Sequence, residues 1–192
     1  MLKKIAITGN IATGKSEALK VFKKLRSYTI DADKIVHELI ENDFDIKKQV
    51  LDLLGEKILE NGKIDRKKIA KIVFSDENKL KKLEGLIHPK VLIEIEKEYN
   101  RVKNKNFDFF VVEIPLLFEI GYQSFFDIVI TITAKDIIAK KRYKGKDYTL
   151  RKQRQLSEVK TEKLSDFVIE NNQNLSDLEK NIKKLSITFK KF

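Results

Sequence analysis

The sequence predicts an α/β fold, a doubly wound parallel sheet of five strands that carries a helical insertion. Three observations predict it: five short apolar runs with the character of buried strands, helical periodicity between them, and one long stretch from Lys34 to about Val102 that is helical almost throughout. At 192 residues the chain suits one domain of ordinary size, or one domain with insertions, and its 42% hydrophobic content is enough for a real core.

The first run, Leu2 to Thr8, is β-branched, apolar and bounded by Gly9, as expected of a strand covered on both faces. From Lys15, the apolar positions Ala18, Leu19, Phe22 and Leu25 recur at helical spacing, so a helix follows the glycine-containing turn directly. Tyr28 to Ile30 is a brief second strand that ends in Asp31-Ala32-Asp33. The insertion follows, with Ile35, Val36, Leu39 and Ile40 setting its first helical stripe, Asn61-Gly62 a turn, and His88-Pro89 starting its last helix. Strand character returns at Phe109 to Ile114, at Ile128 to Thr133 and at Phe167 to Ile169, with helices near Ala134 to Arg142 and Leu175 to Leu185. The segment Lys140 to Lys160, dense in Lys, Arg and Gln, is expected to be mobile and solvated.

Composition narrows the chemistry. Forty Lys and Arg against 29 Asp and Glu leave a net charge of +11, which predicts attraction to phosphates, acidic metabolites or nucleic acid. Only six of those forty are Arg, so 34 Lys are spread along the chain as a diffuse background rather than a patch. The absence of Cys removes disulfides, thiolate metal sites and Cys nucleophiles, and two His are too few for a histidine-rich zinc site. No run approaches the ~20 apolar residues of a membrane span, and MLKKIAITGN lacks the core of a signal peptide, so a cytoplasmic protein with no membrane partner is expected.

Gly9-Asn10-Ile11-Ala12-Thr13-Gly14-Lys15-Ser16 fits G-x-x-x-x-G-K-[ST], the phosphate-binding P-loop, between a predicted strand and a predicted helix. Glycines let the backbone curl so that successive N–H groups form an anion nest, and the helix N-terminus adds its positive end. Lys15 is expected at the β- and γ-phosphates of ATP, with the Ser16 hydroxyl on Mg²⁺. Phosphoryl transfer to a hydroxyl also needs a group to orient the acceptor and take its proton. Asp31 or Asp33 is placed for this, although an Asp after a strand equally serves as a turn former or helix cap. Glu113, ending the Phe109 to Val112 run, resembles a Walker-B acid. Arg142, Arg151 and Arg154 make either a solvated helix face or a cluster facing a transferring phosphoryl group. His37 and His88 read as structural residues of the helical region, with no nearby ligands in sequence.

Together these motifs resemble the dephospho-coenzyme A kinases, which catalyse the last step of coenzyme A synthesis. The resemblance covers nearly the whole length and rests on the P-loop, Ile30-Asp31-Ala32-Asp33, Asn61-Gly62-Lys63-Ile64-Asp65-Arg66, Ile87-His88-Pro89-Lys90-Val91, Glu113-Ile114-Pro115-Leu116-Leu117-Phe118-Glu119 and Asp166-Phe167-Val168-Ile169-Glu170-Asn171. Their order distinguishes this family from adenylate, thymidylate and shikimate kinases of the same fold. The resemblance implies a P-loop kinase core (residues 1–33, 106–138 and 161–192), a helical acceptor domain (34–105) and a closing lid (139–160). It implies transfer of the ATP γ-phosphoryl to the ribose 3′-hydroxyl of dephospho-coenzyme A, with Mg²⁺. Asp33 is the implied base, Asp31 its support and Arg142 the lid arginine. Residues Gly9 to Glu17 and Asn171 are assigned to ATP, and Thr8, Asp33, Asn61, Gly62, Arg66, His88, Leu116, Leu117, Phe118 and Glu119 to the acceptor. Arg151 and Gln155 match the family's arginine and glutamine on the following helix.

The chain departs from the family pattern in three places. Asn10 and Ala12 stand where glycines are usual, and Ala12 is expected to need an ordinary φ. Glu17 follows Ser16 in place of a hydroxyl residue near the α-phosphate. The lid segment Arg142 to Tyr148 is short, so Lys144 or Lys146 shares the Arg142 role. The rival readings are a P-loop kinase for another small hydroxyl acceptor such as a nucleoside, and a nucleic-acid-dependent ATPase, for which the sequence offers no aromatic-basic interleaving. ATP and dephospho-coenzyme A are the expected partners of a monomer or weak homo-oligomer that binds no nucleic acid.

Overall fold

The computed structural model describes residues 1–190; residues 191 and 192, the end of the predicted core segment, lie outside the described residues. In chain order the elements are β1 (Lys3–Thr8), α1 (Lys15–Lys24), β2 (Tyr28–Asp31), α2 (Ala32–Asn42), α3 (Phe44–Leu54), β3 (Leu59–Glu60), β4 (Lys63–Ile64), α4 (Arg66–Val73) and α5 (Glu77–Val102). There follow β5 (Phe109–Glu113), β6 (Ile128–Thr133), α6 (Asp136–Arg142), α7 (Tyr148–Gln153), α8 (Glu158–Leu164), β7 (Phe167–Glu170) and α9 (Leu175–Phe189). The chain divides into two compact units: residues 32–98 form one, and residues 1–31 together with the chain from Tyr99 onward form the other.

The larger unit is built on a five-stranded, all-parallel sheet in the order β2-β5-β1-β6-β7, with strands within two residues of those the sequence predicts. β1 lies at the centre, and the chain leaves it toward β2 on one side and later fills β6 and β7 on the other. Its carboxyl end is therefore the switch point where such sheets bind ligands. Consecutive side chains alternate between faces. Phe109 meets Phe22 of α1 and Phe189 of α9 edge to face, at centroid distances of 6.5 and 6.0 Å. Phe110 stacks on Tyr28 at 5.8 Å and meets Tyr99 edge to face at 5.3 Å. The Tyr99 hydroxyl donates to the Leu2 carbonyl at 2.9 Å, which satisfies its buried polar end. Among the described residues no helix is long and apolar enough to cross a membrane.

The smaller unit corrects two expectations. First, the stretch predicted to be helical almost throughout contains, around its predicted turn, a hairpin in which β3 pairs antiparallel with β4. Asn61 and Gly62 form its two-residue turn with φ of 51° and 74°, the double left-handed geometry that suits the twist of paired strands. Second, Pro89 does not start a helix: α5 runs for 26 residues through it. The missing N–H of Pro89 costs one helical bond, but Leu83, Ile87, Val91 and Ile95 are all buried at a spacing of four, and that continuous apolar stripe outweighs the lost bond. In the larger unit, segment 140–160 is mostly exposed, but it carries the end of α6, all of α7 and the start of α8, and it buries Tyr148.

His88, half-buried on α5, has its pKa held below the usual histidine range by burial, a shift that Glu84 one turn earlier only partly offsets. The unfolded chain therefore takes up this proton first as pH falls below ~6.5, so stability is lost across the window between that value and the lower folded pKa. Urea midpoints for wild type and His88→Gln at pH 7.5 and 5.5 are expected to show the larger acid-induced drop in wild type. Parallel drops in both proteins would remove His88 as the source.

Candidate active site

The P-loop leaves β1 through a backbone that only glycine tolerates. Gly9 has φ 137°, and a Cβ there would stand 2.2 Å from the Ile132 carbonyl oxygen of β6. Gly14 has φ 105° and precedes α1, and a Cβ on it would fall 2.2 Å from the Asn171 side-chain nitrogen. Between them Ala12 is itself left-handed, with φ 58°, whereas Asn10 is not among the positive-φ residues. This reverses the expectation from sequence: the turn falls on the alanine, at a local cost of about 1–2 kcal/mol that its neighbours must offset.

Those neighbours are held from outside the loop. The Ile11 N–H donates to Gln155 Oε1 at 2.8 Å, and the Thr13 carbonyl accepts from Asn171 Nδ2 at 2.8 Å. Within the loop, the Asn10 carbonyl accepts from Lys15 Nζ at 2.9 Å and from Thr13 Oγ1 at 3.0 Å, so the buried ammonium lies across the loop it serves. Ser16 Oγ donates to Glu113 Oε1 at 3.1 Å, and Glu113 is buried at the end of β5. Asp31, ending β2, is level with Glu113 in the sheet, so two carboxylates stand side by side at the carboxyl ends of β2 and β5, Glu113 on the strand that pairs with β1. A hydroxyl and a carboxylate are the hard oxygen donors that Mg²⁺ takes alongside nucleotide phosphates, so this pair fits the ion. Glu17 bonds Lys20 at 2.7 Å in the first turns of α1, which partly neutralises the extra anion.

The other predicted residues are placed as follows. Thr8 is buried at the end of β1. Leu117 and Phe118 are buried, Leu116 has φ 60°, and Glu119 accepts from the Leu156 N–H at 2.7 Å. Arg142 donates to the carbonyls of Asn171 at 2.8 Å and Gln173 at 3.2 Å, tying the end of α6 to the loop after β7. Lys144 and Lys146 are exposed. Arg151 Nε bonds Asp147 at 2.7 Å, and Tyr143 donates to the same carboxylate, which holds Asp147 below the usual carboxylate range through the Tyr143 bond first and Arg151 second. Tyr148 donates to Asp136 at 2.6 Å; burial first, then that bond, pushes its pKa up to about 12.

In the smaller unit, Asp33 is exposed in the first turn of α2. Arg66 opens α4 behind Asp65, which caps the helix by accepting from the Lys67 N–H at 2.7 Å, and Asn61 and Gly62 are exposed in the hairpin turn. Gln155 is the residue to which the sequence reading assigned no role. Its match to a family position was the available signal, but its partner lies 144 residues away.

A family model described as dephospho-CoA kinase matches residues 3–177. The chain belongs to the dephospho-CoA kinase family. A dephospho-CoA kinase of Protochlamydia amoebophila is 38% identical over 192 aligned residues, covering 96% of this chain and 95% of the relative. Among solved structures, a Thermus thermophilus protein aligns with a TM-score of 0.82 at 27% identity, covering 97% of both chains. The dephospho-CoA kinase of Campylobacter jejuni aligns at 0.75 and 28% identity over 100% of this chain and 98% of its own. The family membership agrees with the resemblance carried by the sequence motifs.

The close approach of Gly9 to β6 makes one expectation specific. Gly9→Ala places a methyl against a backbone carbonyl that has no freedom to move, so loss of nucleotide binding together with a fall in melting temperature of several degrees is expected, measured by thermal unfolding with and without ADP. Unchanged ADP binding would show that the loop does not depend on this contact.

Proposed function

We propose that this chain is an ATP-dependent kinase that phosphorylates the ribose 3′-hydroxyl of dephospho-coenzyme A, giving coenzyme A and ADP. The observation that carries this reading is the phosphate loop with Lys15 drawn across it and Ser16 bonded to Glu113, in a chain that matches the family from residue 3 to residue 177.

The loop amides and the N-terminus of α1 receive the β- and γ-phosphates, and Lys15 exchanges the Asn10 carbonyl for phosphate oxygens. Ser16 and Glu113 are the residues to hold Mg²⁺, which supplies neutralisation of the phosphate charge when bound. Asp33 takes the proton of the acceptor hydroxyl, with Asp31 supporting it. The acceptor oxygen bonds to the γ-phosphorus as the bond to the ADP oxygen breaks. Most of the barrier reduction comes from positioning and charge neutralisation, because little covalent work falls to the protein in phosphoryl transfer.

Residues 139–160 act as the lid, with Arg142 and the neighbouring lysines facing the nucleotide, and closure excludes water that would hydrolyse ATP. Asn61, Gly62, Arg66, His88 and the Leu116 to Glu119 segment serve the acceptor side, with Thr8 at the strand end. The protein works in the cytoplasm as a monomer or weak homo-oligomer, without nucleic acid, and its diffuse lysines act as a solvating background.

ADP release measured with dephospho-coenzyme A, adenosine and no acceptor is expected to be fast only with the first; an equal rate with adenosine would favour a nucleoside kinase. Lys15→Ala is expected to remove nearly all turnover. Asp33→Asn is expected to lower kcat by about 10²-fold or more while the KM for ATP changes little, in line with general-base contributions. Near-normal turnover in Asp33→Asn would move the base assignment to Asp31.

A further inference from the structure

We propose that Gln155 is a positioning residue for the nucleotide phosphates, one half of a clamp that holds Ala12 in the left-handed conformation and so keeps the amides of the phosphate loop aimed inward. This rests on the nucleotide-binding reading above and concerns the same loop.

Ala12 is strained. An alanine at φ 58° is disfavoured about tenfold or more against an ordinary conformation, whereas a glycine occupies both with similar ease. Such a residue persists only when its surroundings over-determine it. The two residues on either side of Ala12 are each fixed by a side chain from far along the chain. Gln155 accepts from the N–H of Ile11 at 2.8 Å, and Asn171 donates to the carbonyl of Thr13 at 2.8 Å. The Asn10–Ile11 and Thr13–Gly14 peptide groups, which bracket the Ile11-Ala12-Thr13 segment, are thus pinned by an acceptor on one side and a donor on the other, and rotation at Ala12 alone displaces one of them from its partner.

Neither clamp residue is loose. Asn171 is buried, with its N–H bonded to the Thr133 carbonyl at 2.8 Å and its carbonyl bonded to Arg142. Gln155 sits in the turn that follows α7, its N–H bonded to the Lys152 carbonyl at 3.1 Å, and the next residue, Leu156, donates to Glu119 at 2.7 Å. Gln155 is therefore anchored to the segment after β5 while it reaches the loop after β1. The consequence for function is that loop shape in this chain is supplied by distant hydrogen bonds where a glycine would supply it by freedom of φ.

The test is a rescue. Gln155→Leu keeps the bulk and removes the acceptor; it is expected to weaken ADP binding by about tenfold in calorimetric titration of the full chain and to lower turnover with dephospho-coenzyme A by a similar factor. In the Ala12→Gly background the same substitution is expected to cost less than about threefold, because glycine holds φ 58° unaided. Glu119→Leu, at an exposed position, is expected to give a smaller loss of ADP affinity that Ala12→Gly also relieves, and it keeps the test decisive if Gln155→Leu fails to fold. Equal penalties in both backgrounds, or a fall in melting temperature with unchanged ADP affinity, would overturn the clamp. If wild type binds ADP but does not turn over dephospho-coenzyme A, the proposed acceptor fails, and the ADP titrations alone still decide the clamp.

Discussion

The nucleotide end of this protein depends on how closely the backbone at Gly9 passes the Ile132 carbonyl. β1 and β6 are paired in register up to Thr8 and Thr131, and one residue later the chain must turn out of the sheet beside a strand that continues. With no side chain at Gly9 the turn fits against β6, α1 starts at Lys15, and Ser16 comes within hydrogen-bond reach of Glu113 on the other neighbour of β1. A Cβ at Gly9 would stand 2.2 Å from the Ile132 carbonyl oxygen, so the course of the loop that brings Ser16 to Glu113 depends on that clearance as well as on the bonds from Gln155 and Asn171. The central place of β1 in the sheet makes this possible, because only a central strand has a neighbour on each side of its carboxyl end.

The electrostatics of the chain divide into two populations. Several lysines sit on helices beside a carboxylate three or four residues away, as in Glu77–Lys81, Glu94–Lys97 and Glu179–Lys183, with the lysines exposed and the carboxylates exposed or half-buried. Such pairs are worth at most a few tenths of a kcal/mol each and mainly keep the surface solvated. Arginines have more directed work. Arg142 joins the end of α6 to the loop that holds Asn171, Arg101 donates to the Tyr28 hydroxyl at 2.6 Å, and Arg26 reaches Asn106 and the Asp108 carboxylate. The planar fork of arginine suits this bridging between segments, and three of the six arginines tie together parts of the chain that are far apart in sequence.

Much of the architecture was legible because it is written in runs of one period. The five strands of the sheet are apolar and β-branched over four to six residues, and α1 and α9 carry clear helical stripes. The β3–β4 hairpin was not legible as strands because two residues on each side show no period, although its Asn-Gly turn was visible. Pro89 misled because the usual place for proline is a helix start, and only the stripe from Leu83 to Ile95 shows that the helix continues through it. In the site, Lys15, Ser16 and Glu113 came from local pattern. The left-handed Ala12 did not, since it follows from bonds to Gln155 and Asn171 that no window of sequence contains.

Those same bonds bear on when the protein first becomes able to hold a nucleotide. Asn171 and Thr13 are 158 residues apart, and β1 has no strand neighbour until β5 begins at Phe109. During synthesis at about 5–20 residues per second, the phosphate-loop sequence emerges roughly 10–30 s before the side chain that closes it. For the first part of that interval, until β5 and β6 emerge, the nascent chain carries the complete motif without a strand for β1 to pair with, and until Asn171 follows the loop lacks one of the bonds that hold it. Nucleotide then arrives after the sheet is in place rather than as a scaffold for starting it, so the earliest folding steps proceed without its help.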